Sequence, residues 1–140
     1  MKINRFEELE CWQEARKLTN MVFDLTSQRQ FNSRGFRLTD QMTGAAISVM
    51  NNIVEGFDSQ SNPEFMKFLG YSRRSASELQ TCLYVAVDNR LISQSQFDAA
   101  YEQAENTRKL IDGFRRYLRN YQLTQRANRL TGQRAQRIHA

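Results

Sequence analysis

Apolar residues recur every three or four positions along most of the chain, the spacing that places side chains on one face of a helix. This pattern predicts four helical stretches, at about residues 5–27, 39–55, 62–89 and 93–121. The clearest stripe is in the first stretch: Cys11, Ala15, Leu18, Val22 and Leu25. Long helices joined by short connections favour antiparallel neighbours. The sequence therefore predicts an all-α fold, an up-down-up-down antiparallel four-helix bundle.

Capping residues and one glycine indicate where these helices begin and end. Gly56 is expected to stop the second helix, because glycine adopts the left-handed conformation without steric cost. Asn62 is expected to be the N-cap of the third helix, with Pro63 at its first position. Ser93 and Gln96 have the spacing of a capping box at the start of the fourth.

Charge is distributed unevenly along the chain. Residues 1–112 contain 13 Lys and Arg against all 15 Asp and Glu, whereas residues 113–140 contain no acidic residue. The basic residues of this final segment are all arginines: Arg115, Arg116, Arg119, Arg126, Arg129, Arg134 and Arg137. A guanidinium group can place two donors on one phosphate, so the segment favours a polyanionic partner. The alternative is a solvated helix end whose cations face the negative pole of the macrodipole.

The apolar pattern ends near Tyr121, since Leu123 and Leu130 would lie on the arginine side of a continued helix. We therefore predict a bundle domain, 1–122, followed by an arginine-rich C-terminal tail, 123–140. The pattern leaves open whether this tail is helical or flexible. In the helical case, all seven arginines would lie within about 140° of one another, at about 100° per residue.

Composition excludes several classes of protein. One proline and six glycines in 140 residues are too few for the frequent turns of an all-β fold. No apolar run approaches the roughly 20 residues of a membrane span, and acidic residues by Glu7 argue against a signal peptide. Two cysteines, Cys11 and Cys82, make neither a disulfide framework nor a tetrahedral zinc site. We expect a cytoplasmic protein with free thiols, no membrane association and no metal.

No arrangement of residues predicts catalysis. The sequence contains no phosphate-binding loop, dinucleotide fingerprint or zinc-protease motif, and its only histidine is His139. Glu55 lies in the last turn of a predicted helix, where the macrodipole disfavours an acid. A charge pair with Arg73, Arg74 or a neighbouring subunit explains Glu55 better than a catalytic role does. We therefore expect a non-enzyme without cofactor or small-molecule substrate.

The chain has more apolar side chains than one bundle core uses. The surplus consists of six residues: Trp12, Phe23, Ile47, Val54, Tyr71 and Tyr84. Core packing explains part of this set, but a second apolar stripe is also what a subunit interface requires. We predict an oligomer interface that contains Trp12, Phe23, Ile47 and Val54. Asn52 and Glu55 are assigned to the same interface, with a nucleic-acid contact as the alternative for Asn52.

Three segments carry a resemblance to a known family: QMTGAAISVMNNIVEG at 41–56, SNPEFMKFL at 61–69 and SASEL at 75–79. They resemble the small bacterial four-helix bundle proteins found in intervening sequences of large-subunit ribosomal RNA genes. More distantly, they resemble the accessory variability protein of diversity-generating retroelements. The opening of the chain also matches the family pattern: Phe6, Leu9, Trp12, Ala15 and Leu18.

The resemblance implies an assembly and a role. Family members are barrel-shaped homopentamers with a positively charged surface, and the retroelement relative associates with a reverse transcriptase and with nucleic acid. Arg73 and Arg74, in a segment where the family has small residues, join the arginines of the tail as candidate RNA or DNA contacts. The sequence thus predicts a pentameric, non-catalytic nucleic-acid-binding accessory protein. The alternative is a protein-interaction scaffold whose tail docks an acidic protein.

Overall fold

The computed structural model describes residues 2–139, and within this range the chain folds into α-helices joined by short connections. A 3-10 turn at Phe6–Glu8 precedes five α-helices. They are α1 (Glu10–Thr26), α2 (Arg29–Ser33), α3 (Phe36–Asp58), α4 (Asn62–Asp88) and α5 (Gln94–His139). The predicted all-α class is confirmed, and α2 is a short helix inside what the sequence predicted as a connection. In the described part, no helix is both long and apolar enough to cross a membrane.

The four long helices pack in a ring of contacts. Helix α1 packs against α3 and α5, and α4 packs against the same two helices. Their buried side chains form two hydrophobic clusters. The first includes Leu18, Met42 and Leu83, and the second includes Val49 and Ile111. The five positions of the stripe predicted on α1 are all buried, so its periodicity identified the core face correctly.

The end of α3 differs from the prediction. Gly56 does not stop the helix, which continues to Asp58, and the left-handed residue that follows is Gln60, with φ at 61°. Gly56 is buried, and a Cβ atom at this position would lie 2.6 Å from the Cδ1 atom of Phe65. The glycine therefore allows α3 and α4 to approach closely, a requirement that the local sequence does not reveal.

The starts of α4 and α5 test the two capping predictions. Helix α4 is capped by Ser61 and not by Asn62, since the Ser61 hydroxyl accepts a hydrogen bond from the backbone N–H of Glu64 at 3.3 Å. The capping box of α5 is confirmed. The N–H of Gln96 donates to the Ser93 hydroxyl at 3.1 Å, and the N–H of Ser93 donates to the Gln96 side chain at 2.9 Å.

Helix α5 is much longer than the helices that it packs against. Its 46 residues correspond to about 69 Å, whereas the 27 residues of α4 correspond to about 40 Å. Leu118 is its last buried residue, and the described side chains from Arg119 onwards are exposed. We call residues 94–118 the packed segment of α5 and residues 119–139 its projecting segment. The predicted boundary near Tyr121 thus marks the end of burial but not the end of the helix.

Candidate nucleic-acid interface

The projecting segment carries most of the arginines that the sequence assigns to nucleic-acid binding. Because α5 is one helix to His139, the helical alternative for the tail is the one observed. The arginines from Arg115 to Arg137 therefore lie within about 140° of the helix circumference. This arc has no acidic residue to neutralise it, since residues 113–140 contain none. We call this surface the arginine face.

The arginines of this face differ in their freedom to bind a ligand. All but Arg115 are exposed. Arg115 is half-buried against α4, where a Cβ atom on Gly70 would lie 3.5 Å from one of its terminal nitrogens. Its Nε atom is buried without a hydrogen-bond partner. Arg115 therefore belongs partly to the contact between α4 and α5, and the exposed arginines form the accessible part of the arginine face.

Arg73 and Arg74 of α4 play different roles. The Nε atom of Arg73 lies 2.9 Å from a carboxylate oxygen of Asp112, an ion pair that links α4 to α5. Arg74 is exposed, with its guanidinium 5.6 Å from the centre of the Tyr71 ring. Among the ion pairs of residues 2–139, none involves the exposed Glu55. The structure therefore shows no intrachain pair of Glu55 with Arg73, whose partner is Asp112, or with the exposed Arg74, and the pair with a neighbouring subunit stays a prediction.

The residues predicted for an oligomer interface lie on α1 and α3. Phe23 is 48% exposed and Ile47 is 40% exposed, whereas Trp12 and Val54 are half-buried. Trp12 packs edge-on against Phe6, with ring centres 5.2 Å apart. Ile47 and Val54 are seven residues apart and so project from nearly the same side of α3. These two residues and Phe23 are the candidates that present accessible apolar surface.

The side chain of Asn52, unlike those apolar residues, makes hydrogen bonds within the chain. Its side-chain amide donates to the backbone oxygen of Ser48 at 2.9 Å and lies 3.0 Å from the Ser48 hydroxyl. That hydroxyl in turn lies 2.8 Å from the hydroxyl of Ser75 on α4. Asn52 is thus part of a hydrogen-bond network between α3 and α4, and its assignment to an oligomer interface stays a prediction.

The titratable groups form structural contacts between helices. The Gln103 amide hydrogen-bonds the Glu14 carboxylate at 2.7 Å, and this bond, helped by Lys17, lowers the pKa of Glu14. Burial raises the pKa of the Cys11 thiol to about 11, which keeps it protonated at neutral pH. Within residues 2–139, no group of three or more His, Cys, Asp or Glu side chains could hold a metal ion. The side chain of His139 lies outside the described part.

Sequence reasoning missed an aromatic groove beside the start of the projecting segment. This groove has a volume of about 590 Å³ and is lined mainly by apolar side chains from α3, α4 and α5. Its aromatic residues are Phe57, Phe65, Phe114, Tyr117 and Tyr121. Three of them are separated by three and four residues along α5, a spacing that could have indicated a shared face.

The chain is similar to known proteins in fold and in sequence. No curated protein matches the chain. A crystal structure of a protein of unknown function from the S23 ribosomal protein family of Bacteroides thetaiotaomicron has the same fold, with a TM-score of 0.69. The two share 18% sequence identity over 75% of this chain and 97% of that one. A sequence model for the 23S rRNA-intervening sequence protein matches residues 7–113. This match spans most of the chain, which therefore belongs to the 23S rRNA-intervening sequence protein family.

Proposed function

We propose that the protein is a non-catalytic, homo-oligomeric accessory protein that binds RNA or DNA through the arginine face of α5. The observation that carries this proposal is the form of the projecting segment. It is a helix with exposed arginines and without an acidic residue. A free helix end needs only a few cations to satisfy its macrodipole, and those act within the last turn. Arginines spread over six turns suit a polyanion that runs along the helix.

We also infer that the four long helices form an up-down-up-down antiparallel bundle. The two core clusters support this arrangement. The first cluster takes Leu25 from late in α1 and Met42 from early in α3, while the second takes Cys11 from early in α1 and Ile53 from late in α3. In α4 and α5 too, the residues of the first cluster and those of the second come from opposite ends of each helix. Such a bundle would place the projecting segment at the end that contains the second cluster.

Self-association, for which we propose a pentamer, would bring several arginine faces together. A ring forms when one heterologous contact repeats around an axis, and the exposed Ile47 on α3 offers apolar surface for it. Several weak contacts on one particle add avidity to each single contact. The resemblance to the retroelement protein suggests the context, in which the assembly would work beside a reverse transcriptase in the cytoplasm.

The binding proposal is tested by a salt titration of intact protein and of a protein truncated after Leu123. Truncation removes Arg126, Arg129, Arg134 and Arg137. Each neutralised phosphate contributes about 0.7–0.9 to the slope of log affinity against log salt, so the slope should fall by up to roughly 3–4 per engaged chain. Equal slopes would move the binding surface away from the projecting segment. No binding of the intact protein at low salt would favour the scaffold that docks an acidic protein.

The assembly proposal is tested by light scattering at micromolar concentration. We expect Val54→Asp and Ile47→Asp to lower the particle mass while far-UV circular dichroism keeps its helical signal. Thr81→Asp is the matched control, since Thr81 is an exposed position on α4 that the proposed interface does not include. A wild-type protein with the mass of one chain would contradict the proposed oligomer.

A further inference from the structure

Five aromatic rings form a continuous series from α3 to α5. Phe57 contacts Phe65 with ring centres 6.4 Å apart, and Phe65 contacts Phe114 at 5.1 Å. Along α5, the Phe114 and Tyr117 rings are 6.0 Å apart and 20° from parallel, and the Tyr117 and Tyr121 rings are 6.5 Å apart and 27° from parallel. The series begins with half-buried phenylalanines packed against the second cluster and ends on two exposed tyrosine rings.

The two tyrosines at its end are accessible. Tyr117 is 52% exposed and Tyr121 is 48% exposed, although both line the aromatic groove together with half-buried phenylalanines. Polar groups from Lys2, Gln60 and Asn62 line the same groove. A flat ring needs only one free face to stack on a planar ligand, and within residues 2–139 Tyr121, the last ring of the series, has a neighbouring ring only at Tyr117. The groove thus combines accessible aromatic surfaces with hydrogen-bonding groups.

Tyr121 joins the aromatic groove to one edge of the arginine face, since it lies about 80° from Arg129 around the helix at about 100° per residue. It lines a second groove, of about 350 Å³, whose other residues all belong to the projecting segment and include Arg126 and Arg129. None of the residues that line either groove is acidic. A ligand in the aromatic groove that also reaches the second groove must therefore present planar, weakly polar groups at one end and negative charge along the rest.

We propose that the aromatic groove binds unpaired bases of single-stranded nucleic acid, which stack on Tyr117 and Tyr121 while Arg126 and Arg129, the arginines of the second groove, hold the adjacent phosphates. This inference rests on the proposed function and adds to it a preference for single strands. Every base has a π-face that can stack on an aromatic side chain, whereas the bases of a duplex are already stacked on one another. An apolar protein segment would use the groove but not the arginines beside it, and an acidic peptide would use the arginines but not the rings.

The test compares single-stranded and duplex RNA of equal length, by fluorescence anisotropy with wild-type protein and the double variant Tyr117→Leu/Tyr121→Leu. Stacking contributes an amount that corresponds to about 5- to 150-fold in affinity per base. We expect the double variant to bind the single strand at least about 5-fold more weakly than the wild-type protein does. Its affinity for duplex and its salt slope should stay unchanged, because the arginines are intact.

Two further variants keep the outcome interpretable. Tyr121→Phe keeps the ring and should retain single-strand affinity. Tyr84→Leu removes an aromatic side chain that is 51% exposed outside the groove and should have no effect. Unchanged single-strand affinity of the double variant would overturn the stacking site while leaving the proposed function intact, as long as the wild-type protein binds RNA. An equal loss of affinity for duplex RNA in the double variant would also overturn the stacking site. A lower particle mass of the double variant with unchanged RNA affinity would overturn it as well and would assign the groove to a second copy of the chain.

Discussion

The packed and projecting segments of α5 belong to one helix but are stabilised differently. In the packed segment, Ala104, Thr107 and Ile111 are completely buried, whereas the described side chains from Arg119 onwards are all exposed. The packed segment contains acidic residues such as Glu105 and Asp112, and the projecting segment contains none. Tertiary burial therefore holds one segment, and helix propensity holds the other, through frequent Gln, Arg, Leu and Ala. A helix that continues without a core to pack against is available for a ligand.

The largest expected difference between the segments concerns removal of an apolar side chain. Ile111→Ala should lower the free energy of unfolding by about 2–5 kcal/mol, because it leaves a cavity beside α1 and α4. Leu130→Ala is the matched change in the projecting segment, where Leu130 is 55% exposed, and should alter stability by less than about 0.5 kcal/mol. Urea unfolding of both variants measures the difference. A large cost for Leu130→Ala would mean that the projecting segment is packed within the chain or against another copy.

Glycine-to-alanine substitutions should change stability by a smaller amount, and the sign of the change should differ between the two regions. Gly56→Ala introduces a Cβ atom 2.6 Å from the Phe65 ring, and such overpacking should destabilise the fold by about 1–3 kcal/mol. Gly132→Ala meets no atom within 4 Å and should stabilise the projecting helix locally by about 1 kcal/mol, since alanine has the higher helix propensity. Circular dichroism should show increased helicity for Gly132→Ala. An unchanged melting curve for Gly56→Ala would contradict the close approach of α3 and α4.

A still smaller effect is expected in the pH dependence of the free energy of unfolding. Glu14 of α1 accepts a hydrogen bond from Gln103 in the packed segment, and this bond lowers the pKa of Glu14 below its ordinary value of 4.5. A carboxyl with a depressed pKa in the folded state stabilises the fold above its unfolded pKa, and this contribution is lost as pH falls through the folded pKa. The stability difference between wild type and Glu14→Gln should therefore shrink from pH 7 to pH 3. Glu102→Gln, at an exposed position of α5, is the control. A difference that stays constant with pH would show that the carboxylate charge does not contribute.

The sequence predicted the packed region better than the projecting one, for a physical reason. Burial produces periodicity, so the stripe from Cys11 to Leu25 identified its core face correctly. The role of Gly56 could not be predicted, because it depends on Phe65, which approaches from another helix. The end of the periodic pattern near Tyr121 left open whether the tail is helical, and in the structure it marks the end of burial within a continuous helix. Where burial stops, periodicity says nothing about helicity.

The sequence likewise predicted some features of the candidate site and not others. The charge of the arginine face is evident from composition alone, but its position on one helix is not. The ion pair of Arg73 with Asp112 depends on the packing of α4 against α5, so the sequence could not predict that this guanidinium has a partner within the chain. The arginines from Arg115 to Arg137 also lie beyond residues 7–113, the part that matches the family. Their proposed role therefore rests on the geometry and charge of this chain.

We expect the position of the arginines, and not net charge alone, to provide the nucleic-acid interface. Two variants that each lose four positive charges test it. One replaces four arginines of the projecting segment by glutamine: Arg126, Arg129, Arg134 and Arg137. The other replaces four exposed arginines elsewhere in the chain: Arg29, Arg34, Arg37 and Arg90.

The measurement is the slope of log affinity against log salt for single-stranded RNA, with both variants and the wild-type protein. We expect the projecting-segment variant to lose up to roughly 3–4 from this slope, whereas the other variant should keep nearly the wild-type value. Equal losses for the two variants would contradict this expectation, because binding would then follow net charge and the projecting segment would have no special role.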